Sequence, residues 1–363
     1  MTNTHTATPD RQVLVADAEP TKPETDNTAP SPWAKVAATV ALLTAIVSVL
    51  LTAFAWPSVN SSVHDVPIAV AGPAAAVDQL SATLNQRMPD AFDITQVDST
   101  AAAEQLIRDR AVYGAIDLIS GTPQVITASA GSAAAAQALQ GVGTALAQAQ
   151  GTGPTLAVRD IVALPTDDPR GVGLAAGALP LIMAGLLGAA LLTNLVRGTA
   201  RRVVGALTFA ATAGLALTAI LQYWFGSLDG SYLANAAVVA LTIAAISMTL
   251  LGLAALLGSR GLGLGAAIMM LIGNPFSGAA TAPAMLPGWS GALGQQLPPG
   301  AGGQLLRSTA FFDGHGATHP IIVLLVWLGI GVALCLASDL HRRRTTTAAT
   351  TDTVPQPPVH ATP

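Results

Sequence analysis

The densest set of metal-competent side chains lies in FFDGHGATH, where Asp313, His315 and His319 follow one another closely. A bound transition metal needs three or four converging imidazole, thiolate or carboxylate ligands. Here the spacing is loose, Gly314 and Gly316 intervene, and no further strong ligand is near in sequence. An interfacial loop accounts for the same residues more simply. Cys335 is the only cysteine, which excludes an intrachain disulfide and a cysteine-based metal site, and inside an apolar run it reads as a small buried residue. The carboxylates Asp93, Asp98, Glu104 and Asp117 are scattered as on a solvated α/β surface, without a partner for general acid–base work. No G-x-x-x-x-G-K-[ST] phosphate loop occurs. GLGLG (261–265) and GAGG (300–303) lack dinucleotide-binding spacing and read as close-packing or helix-breaking glycines. The sequence therefore offers no catalytic, cofactor or metal set, and does not read as an enzyme.

Composition assigns the chain to the membrane. Hydrophobic residues make up 51%, charged residues 10%, and the mean hydropathy is +0.55, against roughly 25% charged in a soluble domain. The net charge of −4 and the lack of a basic, aromatic-interleaved patch argue against a nucleic-acid partner. Six spans are expected: 34–56, 172–196, 203–225, 232–257, 261–276 and 319–340. Tails 1–33 and 341–363, rich in Thr, Pro, Ala and Asp, cannot bury enough surface to offset ordering and are expected to be disordered. Lys35, Arg197, Arg201, Arg202, Arg260 and Arg342–Arg344 all fall on one side under a single assignment, with both termini cytoplasmic. Trp33 and Trp56 bracket the first span as interfacial aromatics. That span reads as a signal anchor, since its apolar part is too long for a cleaved leader.

Segment 57–170 differs in character. Short β-branched runs (VPIAVAG at 66–72, FDITQV at 92–97, VYGAIDL at 112–118, PQVITAS at 123–129) alternate with helical patterns. An extracytoplasmic α/β domain with a partly parallel sheet is expected, and ~110 residues is enough for its own core. The membrane region 171–340 carries few polar groups. Asn194, Gln222, Tyr223, Asn235 and Ser247 suit helix–helix contacts. Gly173 and Gly177 form a G-x-x-x-G step. No acid or base lies deep in spans two to six, which disfavours an ion-coupled carrier. An interior lined by small, weakly polar residues suits apolar or amphipathic cargo.

NPFSGAATAPAML (274–286) is rich in helix breakers yet carries no charge, and no ionisable side chain occurs from Gly261 to Leu306. The helix from Gly261 to Gly273 rises only about 20 Å, short of a roughly 30 Å hydrocarbon core. These residues predict a short fifth span that turns into a re-entrant segment, 277–318, rather than a water-exposed loop.

The order of parts resembles the permease subunits of type-2 ABC transporters, in the branch of the phage infection protein and YhgE-like membrane proteins. The resemblance covers about 34–340. It is carried by Pro67-Ile68-Ala69-Val70-Ala71 after the first span. Asn274-Pro275-Phe-Ser277-Gly278, Pro283-Ala-Met-Leu286-Pro287, Leu297-Pro298 and Leu306-Arg307 carry it in the last outer segment. It implies two short helices, 278–296 and 300–312, broken at Leu297-Pro298-Pro299. It also implies a homo- or heterodimer in the bacterial cell membrane and a separate ATPase subunit reached through a cytoplasmic coupling loop. Arg197, Arg201 and Arg202 (RGTARR) occupy that loop, which is shorter than the family's. The function implied is export of a hydrophobic or amphipathic substrate. The other reading from the residues is a non-transporting envelope protein whose outer domain binds a partner or surface ligand.

Overall fold

The computed structural model describes residues 2, 31–119, 123–150 and 157–351, with the side chains of 149, 150 and 342–351 left aside. Most of the expected tail 1–33, and residues 352–363, lie outside this description. Two compact units are formed, Met1–Val49 and Leu50–Pro363. Helix α1, Trp33–Asn60, begins in the first and ends in the second.

The sheet region starts with β1, Val66–Ala71, and β2, Phe92–Val97, joined by α2, Ala74–Arg87. Then come α3, Thr100–Arg108, β3, Gly114–Asp117, β4, Gln124–Thr127, α4, Ala133–Gln150, and β5, Ala157–Asp160. The strand order is β2-β1-β3-β4-β5. β1 runs parallel to both neighbours (Val66 opposite Phe92, Ala69 opposite Ala115), β3 and β4 are antiparallel, and β4 and β5 are parallel. The continuous apolar run VPIAVA suits β1 as an inner strand, covered on both faces. In α2, Val77, Leu80 and Leu84 recur at three and four residues and bury one stripe. Ser99 starts α3 by accepting from the Ala102 N–H at 3.1 Å.

Asp117 ends β3 fully buried. It accepts from the Ile119 N–H (2.8 Å), the Thr100 hydroxyl (2.8 Å) and the Gln124 amide (2.9 Å). Burial alone would raise its carboxyl; these three donors, with the field of Arg159, outweigh burial and hold its pKa below the ordinary value. This carboxylate ties three segments together and is not aimed at a substrate. Asp117→Asn replaces an acceptor-only group by an amide that meets donors, and is expected to cost about 1–3 kcal/mol in thermal unfolding at neutral pH. With the folded pKa depressed, the wild-type contribution is fully present above the unfolded value of about 4 and is lost as pH falls through the folded one. The gap between the two proteins should therefore close in acid.

The helical region begins with α5, Val172–Leu195, and α6, Thr199–Ala219, which continues as a π-helix over Ile220–Trp224. It goes on with α7, Tyr232–Leu257, and α8, Ser259–Ala267, which continues as a π-helix over Ile268–Gly273. The last elements are α9, Ser290–Gln295, α10, Pro298–Phe311, and α11, Thr318–Thr351. Five helices are long and apolar enough to cross a membrane: α1, α5, α6 with its π-helical end, α7, and α11 as far as His341. α7 is the hub. Its apolar window is 78% buried against 33% or less in the other four, and it packs on α5, α6, α8, α10 and α11. Small residues make the approach possible. A Cβ at Gly214 would meet the Ala236 carbonyl oxygen at 2.7 Å, and one at Gly252 the Leu334 Cβ at 2.7 Å.

Several expectations are corrected. The fifth expected span, 261–276, runs instead over Ser259–Gly273, nine α-helical and six π-helical residues, and is, as expected, shorter than the five above. Gly258, at φ +64°, both ends α7 and starts α8, so the chain reverses on one residue. The third expected span begins at Thr199 rather than 203, and the tail expected from 341 is helical to Thr351, because neither Gly nor Pro interrupts the chain between 341 and Pro355. The sheet's cores are not its own. Ala282 and Met285 complete the cluster of Val66, Ile68, Val70 and Leu139, and Phe312 completes that of Ala69, Ile107 and Ile126. Strands β3, β4 and β5, of four residues each, bury too little alone.

Candidate functional site

The segment between the π-helix and α11 packs as a hairpin against both the sheet and α7. Asn274 ends the π-helix, and its carbonyl accepts from the Ser277 N–H (3.2 Å) and hydroxyl (2.7 Å) across the 3-10 turn that Pro275 starts. Gly278 takes φ +67°, where a Cβ would also meet the Pro283 nitrogen at 2.8 Å. Pro283 opens a second 3-10 turn, Pro283–Met285. The Pro287 carbonyl accepts from the Ser290 hydroxyl at 2.7 Å and starts α9. Pro298 sits in the first turn of α10 after Leu297 as N-cap, so the break between α9 and α10 falls at Gln296-Leu297, and Pro298 and Pro299 belong to the second helix. The first expected short helix, 278–296, is instead a 3-10 turn followed by the six residues of α9. Prolines 283 and 287 and the left-handed Gly278 and Gly288 prevent a longer one.

Arg307 lies in α10 with 7% exposure. Its guanidinium donates to the Ala279 carbonyl at 2.7 Å, so it reaches the same turn that Asn274, Ser277, Gly278 and Pro283 build. Pro287 and Pro298 stand farther along the hairpin and shape its two helix starts. The glycines of GAGG pack selectively. A Cβ at Gly300 would overlap the Gly294 carbonyl oxygen and one at Gly302 the Thr242 side chain, whereas Gly303 has open space.

Arg197, Arg201 and Arg202 lie on the α5–α6 connection. Arg197 and Arg201 are exposed. Arg202 turns back on α5, its Nε donating to the Val196 carbonyl and its Nη2 to the Thr193 carbonyl, both at 2.7 Å. It caps a helix end, leaving two arginines for any outside contact. Asp313, His315 and His319 diverge. His315 Nδ1 is 2.7 Å from the Phe312 carbonyl oxygen, and its Nε2 is 3.8 Å from Asp109. His319 Nε2 is 3.2 Å from the Gln296 amide. Of the span polar groups, Asn235 is the most connected. It donates to Gln222 Oε1 (3.2 Å) and the Asp229 carbonyl (2.8 Å) and accepts from the Thr309 hydroxyl (2.8 Å). This joins α6, α7 and α10.

The side chains that sequence reasoning missed sit where the sheet meets the hairpin. A cavity of about 250 Å³ is lined there by Arg110 and Tyr113 from the α3–β3 turn, Gln295, Gln304 and Phe312 from the hairpin, and His319 from α11. Arg110 Nη1 donates to the Gln304 carbonyl (2.8 Å) and the Ser308 hydroxyl (2.5 Å), and Nη2 to Gln304 Oε1 (2.5 Å). Its guanidinium lies 5.1 Å from the centre of the Phe312 ring. Burial first, and the charge of Arg307 second, lower its pKa to about 10, against a smaller opposing effect of Tyr113. Burial raises the Tyr113 phenol, opposed by both arginines and the Ala284 backbone. Arg110 also has φ +61°, a left-handed conformation costly for a side chain of this kind. The sequence shows Arg110 only as the end of AAAEQLIRDR, where an arginine reads as solvated. Its partners lie nearly two hundred residues away.

Comparison of the chain with protein-family models, with curated proteins and with solved structures finds no match.

Proposed function

We propose that the chain is the membrane subunit of a type-2 ABC-like exporter for a hydrophobic or amphipathic substrate. In this reading it crosses the bacterial cell membrane six times, with Ser259–Gly273 as the short fifth crossing, both termini cytoplasmic and the sheet region outside. The observation that carries the proposal is the double attachment of the hairpin. On one side α10 packs on α7. On the other, Arg110 holds α10, and Ala282, Met285 and Phe312 enter the cores of the sheet. A displacement of α7 is thereby passed to the outer region through one rigid piece. Non-helical backbone is tolerated among lipid-facing helices only where protein covers it, as the sheet does here. With Arg202 committed to α5, contact with a separate ATPase falls on Arg197 and Arg201.

The test is purification from the native membrane followed by reconstitution into vesicles. A co-purifying ATPase and ATP-dependent movement of an amphipathic dye, both reduced by Arg197→Glu with Arg201→Glu, are the expected results. Absence of both ATPase and flux overturns the proposal. Ligand binding without flux then points to an envelope protein whose outer region receives a surface ligand.

A further inference from the structure

Arg110 and Arg307 are held close enough that the charge of Arg307 is felt at Arg110 and at Tyr113. Neither is in an ion pair among the described residues. The pairs there are His64–Asp65, Arg108–Glu104, Arg159–Glu104 and His315–Asp109. Two largely buried guanidiniums that repel each other and lack a carboxylate are an expensive arrangement, because buried cations require compensation. Among the described residues Arg307 makes one hydrogen bond, to a neutral carbonyl. Arg110 spends three of the five N–H donors of a guanidinium on α10, leaving two. It reaches this position through a left-handed backbone, a strain of the kind that gathers at functional sites. The remaining cavity wall is partly apolar, with Ile107, Val112, Phe312 and Pro320.

We propose that this cavity binds the oxyanion headgroup, a phosphate or carboxylate, of an amphipathic molecule. The free donors of Arg110 hold the headgroup by charge-assisted hydrogen bonds, with Tyr113, Gln304 and Gln295 as polar neighbours, and Arg307 supplies a second positive field. The apolar portion lies along Ile107, Val112 and Phe312. His319 and Pro320 belong to the first turn of α11, one of the membrane-crossing helices, so the cavity stands at the depth where lipid headgroups sit. That placement rests on the reading of the sheet region as outer. The binding itself does not, and it is tested without flux.

The full chain, purified in a neutral detergent, is titrated calorimetrically with decyl phosphate, inorganic phosphate and decyl glucoside. Decyl phosphate is expected to bind at least about ten-fold more tightly than either of the others, the usual scale for one charge-assisted contact. Arg110→Gln should weaken it by about ten-fold or more, and Arg110→Lys by less, since charge is kept and only the fork is lost. Equal affinity for decyl glucoside overturns the anionic headgroup, and equal affinity for inorganic phosphate overturns the amphipath in favour of a free anion. Undiminished binding by a folded Arg110→Gln protein overturns the site. If that variant does not fold, the three-ligand comparison on the wild-type protein decides alone. Binding with no ATP-dependent flux leaves this inference standing and removes only the exporter.

Discussion

Gly294→Ala is expected to destroy the hairpin, lowering stability by about 3 kcal/mol or more. Three backbone segments meet at this residue. A Cβ there would overlap the Phe276 carbonyl, and the Gly294 carbonyl itself is overlapped by a Cβ built at Gly300. The Leu297 N–H also donates to that carbonyl at 3.2 Å. The obstructing atoms are backbone, so no side-chain rotation can relieve them, and the turn at Phe276, α9 and the start of α10 must separate. Phe276 also stacks edge-on with Trp289 at 5.9 Å and faces Trp56 of α1 at 6.1 Å, so the disturbance should reach the C-terminal end of α1. Gly303→Ala is the control. It sits in the same helix as Gly300 but with nothing near the added atom, and should be neutral or gain up to about 1 kcal/mol from helix propensity. Thermal unfolding followed by tryptophan fluorescence checks both. Equal melting of the two variants would show that the backbone contact does not exist.

The pair also shows what a sequence of this composition reveals. Breakers without charge at 274–286 led to a segment that is neither span nor loop, because burial of uncharged Pro, Gly and Ser leaves a compositional trace. The helical runs were legible for the same reason: apolar stretches of membrane length have few alternative readings. Which glycine of GAGG must stay a glycine was not legible, since that depends on what the other strand of the hairpin presents. The sheet strands could be recognised as β-branched runs, but not that Phe312 and Met285 finish their cores, contacts between segments far apart in sequence. Arg110 was the largest omission. Its meaning comes from α10, and nothing local distinguishes it from Arg108, which pairs with Glu104 on the surface at 3.1 Å. For Arg202 the sequence showed only a base on the α5–α6 connection; that its guanidinium turns back on the carbonyls of Thr193 and Val196 depends on the fold.

Arg307→Met is expected to leave the protein as stable as the wild type or more so, while anionic-ligand affinity falls by less than the drop of about ten-fold expected for Arg110→Gln. Arg307 does not line the cavity and acts there only through its charge. The side chain is 7% exposed, bonds one carbonyl, and borders an apolar lining that includes Leu181, Ile182, Val238 and Leu306. Replacing buried ionic groups by apolar side chains of similar volume is often neutral or stabilising, by up to about 4 kcal/mol. Losing the Arg307 donor to the Ala279 carbonyl costs about 1–3 kcal/mol. The two nearly cancel, and removing the repulsion felt at Arg110 tips the balance toward stability. An arginine kept as a brace for the Ala279 turn predicts the reverse: melting falls by the equivalent of about 3 kcal/mol or more, and affinity falls only because the fold is weakened. Melting temperature and decyl phosphate affinity measured on one preparation separate the two. Stability kept while affinity falls would show that the Arg307 charge acts on the bound anion through its field rather than on the fold.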